Sequence, residues 1–107
     1  MLKIVAVLLL VGTNALGQIS NLGVGTVVRR ISGCDYFIVQ TKSDYAVLEW
    51  FGGHDPDKDE VIIGNINSYG FKTFLYQNDE DQTSRLYVED YGLSKTDALE
   101  KLIDHCG

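Results

Sequence analysis

From residue 26 to residue 91 the chain is cut into short runs rich in β-branched and aromatic residues, each six to eight residues long and closed by polar or glycine-bearing punctuation. The runs are TVVRRI (26–31), DYFIVQT (35–41), YAVLEWF (45–51), EVIIGNI (60–66), FKTFLYQ (71–77) and SRLYVEDY (84–91). Lys42-Ser43-Asp44 reads as a hairpin turn, Ser68-Tyr69-Gly70 as a bend and NDEDQT (78–83) as a further turn. Runs of this length are strands, and their close spacing predicts an antiparallel meander, sandwich or barrel. The fold class expected is mainly β (α+β): a small antiparallel barrel of five to six strands with one C-terminal helix.

Side chains alternate across a strand, so each run has two faces. In 45–51 one face carries Ala46, Leu48 and Trp50, the other Tyr45, Val47, Glu49 and Phe51. In 84–91 one carries Leu86, Val88 and Asp90, the other Arg85, Tyr87, Glu89 and Tyr91. The apolar faces are expected to line the barrel. The mixed faces are expected to lie partly under the helix and partly in solvent. That helix is written into LSKTDALEKLIDHCG. Ser94 is its N-cap, Asp97 makes a variant capping box that also suits the helix dipole, and Leu93 and Ala98 form a weak staple. Leu99, Leu102, Ile103 and Cys106 recur at i, i+3, i+4 and i+7, which predicts a buried stripe on a helix over 94–106.

The N-terminal stretch MLKIVAVLLLVGTNALGQ has the parts of a secretory signal. Lys3 gives the positive end, Ile4 to Val11 the apolar run, and Ala15 and Gly17 the small residues of a cleavage site. Residues 1–17 therefore read as a signal peptide, QISNLGVG (18–25) as a flexible lead-in, and 26–107 as the barrel domain. As a helix the apolar run spans only about 12 Å, against a hydrocarbon core of about 30 Å, so no stable membrane insertion is expected. The expected destination is secreted or periplasmic. Cys34 and Cys106 both fall in the exported part, and an even count there predicts one disulfide between them.

Without residues 1–17 the chain holds eight Lys and Arg (nine less Lys3) against 15 Asp and Glu, a net charge of −7. That charge repels phosphate backbones, so nucleic acid is not an expected partner. The segment WFGGHDPDKDE (50–60) is the chain's most unusual. Asp55, Asp57 and Asp59 have the 1-3-5 spacing of a calcium loop. Glu60 stands where that loop needs glycine, and Ile66 where it needs a bidentate glutamate. At most a weak calcium site is left, and Gly52-Gly53 with Asp55-Pro56 favours a turn. No G-x-S-x-G or H-E-x-x-H motif occurs, and adjacent Glu89 and Asp90 point to opposite faces. Neither an enzyme nor a cofactor is expected. Six Tyr, four Phe and one Trp instead point to contact chemistry. Tyr45, Trp50, Phe51, His54, Tyr69 and Tyr91 are the candidate binding surface, with Tyr69 beside Trp50 if their strands are neighbours.

Through DYFIVQT, YAVLEWFGGHDP, IGNINSYGF and LYVEDYGLSKTDALEKL the chain resembles a group of short exported bacterial proteins of unknown function. The succession of strands is also similar to OB-like and SH3-like barrels. It lacks the ALYDY-type motif of peptide-binding SH3 domains and the basic aromatic surface of nucleic-acid-binding barrels. The function expected is an exported, non-enzymatic binding module, monomeric or weakly oligomeric, that contacts protein, peptide or glycan. A weakly calcium- or small-ligand-binding envelope-stress protein and a hydrolase inhibitor are the alternatives. A free strand edge near 26–31 is expected as a place where another chain can pair.

Overall fold

The computed structural model describes residues 22–107; the signal peptide expected at 1–17 and the first part of the lead-in lie outside the described residues. Six strands and one helix follow in order: β1 (Gly23–Arg30), β2 (Tyr36–Gln40), β3 (Tyr45–Gly53), β4 (Val61–Gly64), β5 (Gly70–Tyr76), β6 (Asp79–Leu93) and α1 (Lys95–Cys106). The strands close into an antiparallel barrel in the order β1-β2-β3-β6-β5-β4. It consists of two three-stranded meanders joined by β1 against β4 and β3 against β6. The mainly β barrel with a single C-terminal helix is as the sequence predicts.

Three expectations shift. β1 starts at Gly23, inside the expected lead-in, because Gly23 to Thr26 pair with Val61 to Gly64. Gly25 serves packing there: a Cβ on it would lie 2.1 Å from Val39 Cγ1. The turn expected over 78–83 contracts to Gln77 and Asn78, and β6 runs unbroken from Asp79 for 15 residues. The edge expected near 26–31 is taken up only at its start: β2 pairs with β1 as far as Arg30, whereas on the other side β4 pairs with Gly23 to Thr26. Past the end of β4 the backbone of the 54–60 loop continues the pairing. Val27 N donates to Glu60 O at 2.9 Å, and Asp59 N to Val27 O at 2.7 Å.

The two-residue period sorts the side chains into two cores. Val27, Phe37, Val39, Ala46, Leu48, Ile62, Phe74, Leu86 and Val88 fill the barrel and are fully buried. The opposite faces of β2 and β3 present Ile38 and Val47 to Ala98 and Leu102 of α1. β2 and β3 are therefore apolar on both sides where the helix covers them. Ser94 caps α1 by accepting from Asp97 N at 3.1 Å. The Cys34–Cys106 bond, with Cα atoms 5.6 Å apart, ties its last turn to the loop before β2. Of the expected stripe Leu102 is buried and Leu99 and Cys106 are partly buried, whereas Ile103 is 60% exposed and Ala98, outside that stripe, is fully buried. Ala98 and Leu102, four apart, set the line of contact, and Ile103 lies a further 100° round the helix. A small residue at 98 also lets the helix sit close to the sheet.

Candidate functional site

The outer face of β3, β6 and β5 carries a cluster of rings that the barrel interior does not take in. Antiparallel register places Glu49 opposite Tyr87 and Tyr87 opposite Phe71. Phe51 meets Phe71 edge-on with centroids 4.8 Å apart, and Phe71 meets Tyr87 at 4.9 Å. The Arg85 guanidinium covers the Phe71 ring at 4.5 Å. Phe51 is 50% exposed and Phe71 46%. The patch is thus apolar, preformed by ring-on-ring packing, and open to solvent.

The six candidate surface residues do not form one surface. Phe51 belongs to this patch. Tyr69 and Tyr91 form a separate pair at 4.8 Å, with the Tyr69 hydroxyl donating to Asp90 Oδ1 at 3.3 Å. Tyr91 also packs on the barrel core, as does Trp50, whose buried Nε1 has no partner among the described residues. Tyr45 packs under α1. His54 is in the acidic loop. Tyr69 therefore has Tyr91 as its ring partner, where Trp50 was expected. Phe71 was missed because it opens its run. Its outward place shows only once β5 is set against β6, which aligns it with Tyr87.

The acidic loop is a built structure. Gly53 takes φ of 74°, and a Cβ there would lie 2.4 Å from the Thr83 carbonyl oxygen, so only glycine turns the chain out of β3 at this point. Pro56 is fully buried. Glu60 Oε1 accepts from His54 Nε2 at 2.8 Å and from Asp57 N at 2.7 Å. Asp55 Oδ1 pairs with Arg30 Nη2 at 3.0 Å. The buried Ser84 hydroxyl donates to His54 O, so Tyr76 OH is the donor in its 2.6 Å bond to Ser84 Oγ. The side chains that converge here are His54, Asp57 and Glu60, with ligand atoms within 4.8 Å of one another. Asp55 and Asp59 of the calcium spacing stand outside this group. A nitrogen donor does not suit calcium, which takes oxygen ligands. Glu60 is already engaged by the His54 ring and by the Asp57 backbone N–H in holding the loop.

A third cluster lies near the disulfide. Tyr36 stacks on His105 with centroids 4.0 Å apart and planes 9° from parallel. Burial first, and then the hydrogen bond and charge of Glu49 with the charge of Glu89, push the Tyr36 hydroxyl up to about 12. Burial likewise pushes Tyr76 up to about 12, with the charges of Glu60 and Asp55 acting the same way. Both phenols are held neutral in the fold more firmly than in the unfolded chain, where they ionise near 10.0. The folded state then keeps protons that the unfolded state releases, and stability falls with rising pH. This contribution is fully present below about pH 10 and is lost as pH climbs through 12. Tyrosinate absorbance should show the Tyr36 and Tyr76 phenols ionising at higher pH in the folded protein than in the denaturant-unfolded chain. Identical phenol titrations of the folded and the unfolded protein would contradict it.

No helix among the described residues is long and apolar enough to cross a membrane. Comparison with protein-family models, with curated proteins and with solved structures returned no match for this chain.

Proposed function

We propose that the chain is an exported, non-enzymatic binding module that grips a protein, peptide or glycan partner through the Phe51–Phe71–Tyr87 patch. One observation carries this reading: rings with a large apolar payload stay half in solvent while the barrel beneath them is already filled. Leaving such rings wet costs free energy that covering them would recover. Aromatic residues beside an arginine also have the composition of interface anchors. The disulfide supports the exported setting, because such bonds persist in oxidising compartments.

The patch is tested with a Phe51→Ser, Phe71→Ser double variant. Both residues are exposed, so its melting temperature should stay within a few degrees of the parent. A random peptide display library and a glycan array are screened against parent and variant in parallel. Ligands selected on the parent should bind the variant at least tenfold more weakly. The array that yields them tells a peptide partner from a glycan. Selected ligands that bind both proteins alike would remove the patch from the function.

A further inference from the structure

A cleft of about 400 Å³ opens between the first turn of α1 and the outer face of β1 and β2. That size falls within the range of small-molecule sites. Val28, Ile38 and Leu99 give it an aliphatic floor, and the Tyr45 ring forms one wall. All four belong to the second core, so the floor is fixed by the packing that docks the helix. Arg29, Gln40 and Lys95 supply the polar part of its lining.

The electrostatics of this lining run against those of the chain. The sequence carries 15 acidic residues. Arg30 and Lys101 are paired with Asp55 and Asp90. Arg29 and Lys95, by contrast, have no carboxylate within 4.0 Å among the described residues. Asp44, next to Tyr45 in sequence, is engaged by the Thr41 hydroxyl at 2.6 Å. The N-terminal end of α1 adds positive potential on the same side, offset in part by Asp97 in its first turn. Two cations with no carboxylate partner among the described residues, beside an aliphatic lining, are complementary to a molecule with an anionic head and an apolar body.

We propose that this cleft binds small amphipathic carboxylates. The head group lies between Arg29 and Lys95, where a guanidinium can take it in two parallel hydrogen bonds. The apolar body covers Val28, Ile38 and Leu99. This site is on a different face from the aromatic patch, and the proposal stands whether or not that patch binds anything.

The test titrates the full oxidised protein with octanoate and with 4-phenylbutyrate, following calorimetric heat and methyl NMR shifts. Octylammonium and octan-1-ol are the controls for charge. Saturable binding of a carboxylate is expected, with shifts at Val28, Ile38 and Leu99 and with either control at least tenfold weaker. Octanoate binding more tightly than phenylbutyrate identifies an aliphatic source such as a fatty acid, and the reverse order an aryl acid. The Arg29→Gln, Lys95→Gln double variant should melt as the parent does and bind octanoate about tenfold more weakly. No saturation, equal binding of octylammonium, undiminished binding by the double variant, or shifts confined to Phe51, Phe71 and Tyr87 would each overturn the proposal.

Discussion

Replacing Cys34 and Cys106 together by Ser is expected to lower the melting temperature by roughly 20 °C. The bond closes a loop of 72 residues. Chain-entropy arguments assign a loop of that size about 4 kcal/mol of stabilisation through the unfolded state. For a domain of this length each kcal/mol moves the midpoint by roughly 4–8 °C. The effect is large because whole small domains are stable by only about 5–15 kcal/mol. The oxidised and reduced forms of the parent, compared by calorimetry in the absence and presence of a reductant, give the same measurement without mutation. A reduced protein that melts within a few degrees of the oxidised one would mean that the bond contributes little.

Leu102→Asp is expected to undock α1 and to cost at least about 4 kcal/mol. Leu102 is 1% exposed and packs against Ile38 and Val47, themselves nearly or fully buried. Truncating such a leucine to alanine alone costs about 2–5 kcal/mol, and a carboxylate with no partner adds its own desolvation. The disulfide would keep the freed helix on a tether. Hydrogen exchange should therefore show amides from Ala98 to Cys106 losing protection while the strands facing the barrel interior keep theirs. Unchanged melting, or protection lost evenly through strands and helix, would contradict docking through this stripe. The two changes act on one helix, so their effects should not add.

Much of this architecture is legible in the sequence, and particular residues show where legibility stops. The alternation of Ala46, Val47 and Leu48 marks a strand buried on one face and covered on the other, and the barrel and helix confirm it. Ser94 and the cysteine pair are local or compositional signals and read correctly. Ile103 misleads because a periodic stripe counts large apolar residues, whereas the helix packs through Ala98, which leaves room for the sheet. The seams β1–β4 and β3–β6 join distant segments, and a two-residue period states which face is apolar without naming a neighbour. The aromatic patch inherits that ambiguity. Phe51, Phe71 and Tyr87 come from three strands and meet only through the pairing. Trp50 reads from the sequence as both barrel-lining and contact-forming, and in the fold it packs, partly buried, against the barrel core.

The closed order of the strands limits how the molecule can be recognised. Many receptors take an extended peptide by lending it a vacant row of backbone donors and acceptors, and amyloid templates grow the same way. A ring has no first or last member to lend. Along the paired length of each seam, augmentation of that kind would require prising two strands apart, so the closed order favours recognition through side chains such as those of the proposed Phe51–Phe71–Tyr87 patch.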